Sequence, residues 1–174
     1  MRLFTTTPKG EQILRSGVIC SSFYAMFLEC GLSVEETTKL YLKTIASEAR
    51  EYERARAIIQ RGERLDYEAY SRWKEFERIN HAWFYTSLAR TQKTPEKEYQ
   101  GGNVIFEVEA NEKLGIFALD AARRSSISEV RIVGPEPVLL KDSLRALHYP
   151  TSAKIEHLNA LLSPRVPAIP YTPQ

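Results

Sequence analysis

Residues 103–110 read Asn-Val-Ile-Phe-Glu-Val-Glu-Ala, and this stretch decides the class of fold. Apolar and acidic side chains alternate along it, as they do in a strand that buries one face and exposes the other. A pair of glycines just before it, Gly101 and Gly102, marks the turn into the strand. The predicted buried face holds Val104, Phe106, Val108 and Ala110, and the opposite face holds Glu107 and Glu109.

β-Strand character extends to both sides of this stretch, over about residues 82–147. The segments concerned are rich in aromatic and β-branched side chains and are bounded by glycine or proline. The last of them, 137–140, is predicted to return as an edge strand. The further predicted strands lie at 83–87, 114–119, 129–133 and 137–140.

The chain also begins with a β-prone run, Leu3 to Thr7, which Pro8 ends. A short helix is predicted over 11–15, with a stop at Gly17. The start of the chain is therefore a compact strand, turn and helix.

The segment 33–79 carries the clearest helical signal. Ser33 followed by Glu36 is a capping box, and apolar side chains then recur at helical spacing. We predict one helix over 34–61 and a second over 66–79. Ten basic and ten acidic side chains balance each other across the segment. This balance is typical of a solvated helical face rather than of a nucleic-acid surface.

The end of the chain differs in composition from the rest. A short helix is predicted within 155–162, and residues 163–174 hold four of the nine prolines. We expect those twelve residues to be extended and peripheral, and able to dock on the body or on a partner. The predicted organisation is one domain over 1–150 with a helical insertion at about 33–79, followed by the helix and proline-rich tail at 151–174.

Composition excludes several classes of protein. The chain has 174 residues, of which 43% are hydrophobic and 26% charged, and its net charge is +2. These values fit a globular domain and do not indicate a broad phosphate-binding surface. Residues 1–8 lack the apolar run of a secretory signal, so we expect a cytoplasmic protein, or one delivered into a host cell by another route. Cys20 and Cys30 form no metal-ligand spacing with the histidines, and no metal is expected.

Three segments carry the residues to which we assign chemistry. They read Leu3-Phe4-Thr5-Thr6-Thr7 running on to Ser16-Gly17, Trp83-Phe84-Tyr85-Thr86-Ser87, and Ser128-Glu129-Val130-Arg131-Ile132. The first is a strand and helix, the second an aromatic strand ending in hydroxyl residues, and the third a glutamate that starts a strand behind a serine-rich loop. Their order and spacing resemble the ADP-ribosyltransferase superfamily over about residues 2–19 and 82–140.

The resemblance implies an α+β fold in which a split, mostly antiparallel sheet surrounds a cleft for NAD. It implies that NAD is the substrate and that Glu129 is the catalytic residue, because a fixed carboxylate stabilises the positive charge that develops on the ribose when nicotinamide leaves. The Tyr85 ring would stack on nicotinamide. The residues implied to bind NAD are Thr5, Thr6, Tyr85, Thr86, Ser87 and Ser128.

The chain departs from the family pattern at one of these positions. The family has arginine or histidine where this sequence has Thr5, and a threonine hydroxyl carries no charge for a pyrophosphate. Arg2 is the nearby cation that can replace it, although strand alternation directs it to the face opposite Leu3.

Three functions remain open on the sequence alone. The first is ADP-ribosyl transfer to a macromolecular acceptor, protein or nucleic acid, by a toxin or effector. The second keeps the fold and makes the chain similar to an RNA 2′-phosphotransferase. The third is a non-catalytic protein with a degenerate NAD site that holds a partner protein on the helical insertion or on the proline-rich tail. No membrane association is expected.

Overall fold

A computed structural model gives the structure of the chain and describes residues 1–6, 10–92, 104–110, 116–117, 129–133, 137–152 and 155–172. Within these residues the chain forms an open, mostly antiparallel sheet, a two-stranded ribbon and eight helices, which confirms the predicted α+β class. The strands are β1 (Arg2–Thr6), β2 (Val18–Ile19), β3 (His81–Tyr85), β4 (Ile105–Glu109), β5 (Ile116–Phe117), β6 (Glu129–Val133), β7 (Val138–Leu139), β8 (Leu144–Pro150) and β9 (Ala168–Tyr171). The helices are α1 (Gly10–Ser16), α2 (Ser22–Leu28), α3 (Val34–Thr44), α4 (Ala46–Gln60), α5 (Tyr67–Ile79), α6 (Leu88–Gln92), α7 (Leu140–Ser143) and α8 (Glu156–Asn159).

The large sheet has seven strands in the order β5-β6-β3-β1-β4-β8-β9. Strand β1 pairs antiparallel with β3 and β4, β4 pairs antiparallel with β8, and β5 with β6, whereas β9 runs parallel to β8. Residues 105–109 and 129–133 are both strands of this sheet, as the alternation of their side chains predicts.

The register of β1, β4 and β8 assigns their side chains to two faces, because residues opposite each other in a sheet point the same way. One face is mostly buried, and its side chains form the core of the sheet. We call it the core face; it holds Leu3, Thr5, Phe106, Val108 and Leu147. The other we call the polar face; it holds Arg2, Phe4, Thr6, Glu107, Glu109 and His148, together with the buried apolar residues Ile105 and Ala146.

Helices α3 and α5 begin where their capping residues predict. The hydroxyl of Ser33 accepts a hydrogen bond from the Glu36 N–H, and the Glu36 carboxylate accepts one from the Ser33 N–H, so the predicted capping box is present. Asp66 caps α5 by accepting from the Ala69 N–H.

The prediction of one continuous helix over 34–61 is wrong, because α3 ends at Thr44 and α4 begins at Ala46, with Ile45 between them. The break separates two aromatic clusters. Tyr41 of α3 packs against Tyr24 of α2, with ring centroids 5.0 Å apart. Tyr52 of α4 stacks on Trp73 of α5 at 5.2 Å. The break at Ile45 falls between the two clusters, and the unbroken spacing of apolar residues does not reveal it.

Part of the end of the chain is extended and docks on the body. Residues 168–171 form edge strand β9, which pairs with β8. The Pro167 and Tyr171 carbonyls accept hydrogen bonds from the N–H groups of Leu147 and Thr151, at 3.0 and 2.9 Å. Proline lacks an N–H but keeps its carbonyl, so an edge strand tolerates it. Of the predicted edge strand at 137–140, two residues pair with β2 in the separate ribbon.

The chain divides into two compact units. The first comprises residues 1–19, 83–132 and 138–174 and contains the large sheet. The second comprises residues 20–82 and 133–137 and contains α2 to α5. Among the described residues, no helix has the length and apolar character needed to cross a bilayer.

Candidate functional site

The three segments singled out in the sequence contribute neighbouring strands. β6, β3 and β1 are adjacent in the sheet, although their first residues are separated by 48 and 79 positions along the chain. Glu129 is the first residue of β6, where the resemblance expects the catalytic glutamate to stand. The orientation of its side chain lies outside the described structure, as does the whole of Ser128.

Two of the predicted NAD-binding residues, Tyr85 and Thr5, lie on opposite faces of the sheet. Phe4 lies directly opposite Tyr85, so the Tyr85 side chain belongs to the polar face. Thr5 is the next residue of β1 and therefore points to the core face, where it lies opposite Phe106 and is 7% exposed. The structure does not bring Thr5 and Tyr85 to the same face of the sheet.

The other predicted hydroxyl residues that the structure describes lie at the ends of β1 and β3, and hydrogen bonds at both places tie these ends to neighbouring elements. Thr6 lies on the polar face, and its hydroxyl donates a hydrogen bond to the Val104 carbonyl at 3.0 Å. Thr86 and Ser87 directly follow β3. The Ser87 carbonyl accepts from both the N–H and the hydroxyl of Thr91, at 3.1 and 2.9 Å, which ties the end of β3 to helix α6.

The polar face carries a buried acid–base pair, although the strand alternation predicts Glu107 on an exposed face and no motif marks His148. The Glu107 carboxylate lies 2.8 Å from Nε2 of His148, across the β4–β8 pairing. The two residues are only 7% and 5% exposed. The His148 and Phe4 rings also contact each other in an edge-on arrangement, with centroids 6.2 Å apart and planes at 60°. Such a pair is costly to desolvate and is weak evidence for a purely stabilising role.

Arg2 is tied to this pair rather than free. Its guanidinium lies 3.5 Å from the second oxygen of Glu107, and its backbone position is opposite Glu109. The side chain is 77% exposed, so the attraction is screened by water. Arg2 is therefore a partly neutralised cation on the same face as Tyr85, and it does not share a face with Thr5.

A bulge in β8 sets the outer rim of this face. Glu107 pairs with Ala146 and Val108 with Leu144, which leaves Arg145 as the extra residue. Its guanidinium donates to Glu109 at 2.8 Å. That hydrogen bond, and then the charge of Arg145, lower the pKa of the Glu109 carboxyl, with smaller contributions from the N-terminal ammonium and Arg2.

The polar face thus combines half-buried aromatic side chains with a buried carboxylate–imidazole pair. A planar ring can stack on the aromatic side chains, and the pair can hold a neighbouring side chain in a fixed orientation. The signal for Glu107 was present in the strand alternation, whereas His148 stands 41 residues away and only the β4–β8 register reveals it.

The described residues contain no group of three or more histidine, cysteine or acidic side chains placed to hold a metal ion. Comparison of the chain with models of protein families, with curated proteins and with solved structures finds no match.

Proposed function

We propose that this protein transfers ADP-ribose from NAD to a macromolecular acceptor, protein or nucleic acid. One observation supports the proposal above the others: β6, β3 and β1, which bear the three family-like segments, are neighbours in one sheet. Segments that are distant in sequence and act on one ligand must meet in space, and adjacent strands lie only about 4.8 Å apart. Three strands span a width comparable to nicotinamide and its ribose.

In the proposed reaction the bond between nicotinamide and C1′ of the ribose breaks, and its electron pair leaves with nicotinamide. A nucleophile of the acceptor forms the new bond at C1′ and loses its proton. Glu129 stabilises the oxocarbenium-like charge in the transition state and holds the ribose 2′-hydroxyl. Tyr85 supplies the wall on which nicotinamide stacks, and Thr86 and Ser87 support this end of the strand.

The opposite orientations of Tyr85 and Thr5 make the proposal more specific. A ligand stacked on Tyr85 occupies the polar face, so Thr5, which is buried on the core face, does not touch it. Loss of the Tyr85 ring should therefore weaken NAD binding more than loss of the Thr5 hydroxyl. Thr5 is then a packing residue at a position where the family has a charge.

The test is release of free nicotinamide from NAD, measured with and without cell lysate as a source of acceptor. Glu129→Gln keeps the shape of the side chain and removes its charge, so turnover should fall by about 10²-fold or more. The exposed acid Glu156 of α8 provides the matched control, and Glu156→Gln should leave turnover unchanged.

Equal turnover in the parent protein and in Glu129→Gln would end the catalytic assignment. A parent protein that binds NAD without turning it over would instead be a binding protein with a degenerate site. Binding is measured separately by calorimetry for Tyr85→Ala and Thr5→Ala, which distinguishes the two faces of the sheet.

A further inference from the structure

We propose that the Glu107–His148 pair is a positioning unit that keeps the Phe4 ring away from Tyr85, so that the Tyr85 ring remains open to a planar ligand. The ligand is the nicotinamide end of NAD, so the inference rests on the proposed function. Glu107 and His148 act through Phe4 and have no contact with the ligand.

The ring of Phe4 packs on a residue other than the aromatic residue that lies opposite it in the sheet. Phe4 and Tyr85 stand directly opposite each other on the same face. Aromatic side chains in such positions normally pair, because their Cβ atoms are only about 4.5–5.5 Å apart. The Phe4 ring instead meets His148, which belongs to β8 and lies two strands away in the other direction. In the described part of the chain, the Tyr85 ring contacts no other aromatic ring.

The imidazole is held where it can attract Phe4. Its Nε2 is fixed by the Glu107 carboxylate at 2.8 Å, and both groups are almost fully buried. A hydrogen bond between two nearly fully buried groups fixes the orientation of the ring as well as its position. The imidazole of His148 is then a stable partner for the Phe4 ring, at an ordinary distance for two aromatic rings.

Burial of the pair is explained by such a role. A carboxylate and an imidazole at the centre of a sheet are no better for stability than two apolar side chains of similar size. Two apolar side chains would pack against Phe4 without setting one orientation of its ring. The pair therefore provides a defined position for Phe4, on which access to Tyr85 depends.

The experiment is a double-mutant cycle with NAD as the probe. His148→Gln removes the ring that Phe4 contacts but leaves an amide that can hydrogen-bond Glu107, which helps to preserve the fold. The freed Phe4 should pair with Tyr85 and compete with NAD, raising the dissociation constant by about 2- to 10-fold, the range expected for one aromatic contact. In a Phe4→Val background the same change should have no further effect, because no ring remains to compete.

A second readout does not depend on NAD. Nuclear Overhauser effects between the ring protons of Phe4 and Tyr85 should be weak in the parent protein and strong in His148→Gln, with the Tyr85 signals assigned from Tyr85→Phe. Glu107→Gln, which keeps the imidazole, should show a smaller change in the same direction. Controls are His157→Gln on α8 and Glu109→Gln on the rim of the polar face, and neither should alter the Phe4–Tyr85 effects.

The outcomes separate this inference from the proposed function. If the parent protein does not bind NAD, the proposed function fails and the ring-proton effects alone decide the positioning role. If His148→Gln weakens NAD binding equally with and without the Phe4 ring, the pair acts by another route and the inference is wrong. Unchanged Phe4–Tyr85 effects in both His148→Gln and Glu107→Gln would also overturn it.

Discussion

Strands β1, β4 and β8 contribute side chains to both faces of the sheet, but the two faces differ in the interactions that stabilise their buried residues. On the core face, Leu3, Phe106 and Leu147 are wholly buried and apolar, and each gains stability by leaving water. On the polar face, Glu107 and His148 are buried almost as deeply and must recover the cost of desolvation from each other. The core face therefore gains its stability from apolar burial, whereas the other face holds two buried polar groups that must satisfy each other.

The largest effect is expected on the core face. Phe106 is opposite both Thr5 and Leu147 and is completely buried. Phe106→Ala should lower the free energy of unfolding by about 3–5 kcal/mol, from lost burial and the cavity left behind. Urea denaturation followed by far-ultraviolet circular dichroism measures it. A loss below about 1 kcal/mol would mean that this face does not carry the stability of the sheet.

A smaller effect is expected when the polar pair is broken from one side. His148→Leu removes the imidazole and leaves the buried Glu107 carboxylate beside the exposed side chain of Arg2. The free energy of unfolding should fall by about 1–3 kcal/mol, the cost of an unsatisfied buried polar group. The same urea titration measures this loss, and His157→Leu on the exposed face of α8 is the control for a change of histidine to leucine.

Replacing both partners should restore most of that loss. In the double variant Glu107→Met/His148→Leu no buried charge remains, and the side chains are similar in volume to those they replace. Its stability should return to within about 1 kcal/mol of the parent protein, because apolar replacements of buried ion pairs are often neutral. A double variant less stable than His148→Leu alone would show that the pair stabilises the sheet and would weaken the contrast between the faces.

The sequence predicts the core face better than the polar face for a physical reason. The alternation in residues 103–110 and the capping box at Ser33 are local patterns, and both predicted their elements correctly. β8 escaped prediction because its bulge interrupts the alternation, and because Ala146, Leu147 and His148 are buried on both faces of the strand. When both sides of a strand are buried, its residues do not alternate between exposed polar and buried apolar, so the sequence shows no period of two.

The candidate site, too, could be predicted from the sequence only in part. The sequence predicted that 103–110 and 129–133 are strands of one sheet, whereas the face on which each side chain lies depends on register. Phe4 and Thr5 are consecutive residues with opposite orientations, and only the pairing with Tyr85 shows which of them accompanies it. The position of Glu129 at the start of β6 agrees with the prediction, and its role in catalysis stays a prediction.

The smallest effect is expected at the rim of the polar face, in the exposed Glu109–Arg145 pair. The hydrogen bond from Arg145, followed by its charge, lowers the pKa of Glu109 in the folded protein. A group with a depressed folded-state pKa adds stability above its ordinary pKa and loses that contribution as pH falls through the folded value. Glu109→Gln should therefore lower the melting temperature slightly at pH 6–7 and by progressively less towards pH 3.

The measurement is the difference in melting temperature between the parent protein and Glu109→Gln across that pH range, at low salt and in 1 M NaCl. Both side chains are about half exposed, at 51% and 49% for Arg145 and Glu109, so salt should shrink the difference at neutral pH. A difference that grows as the pH falls would have the wrong sign for a lowered pKa. A difference insensitive to salt would mean that Glu109 behaves like the buried Glu107, and the rim would then belong with the pair rather than with the solvent.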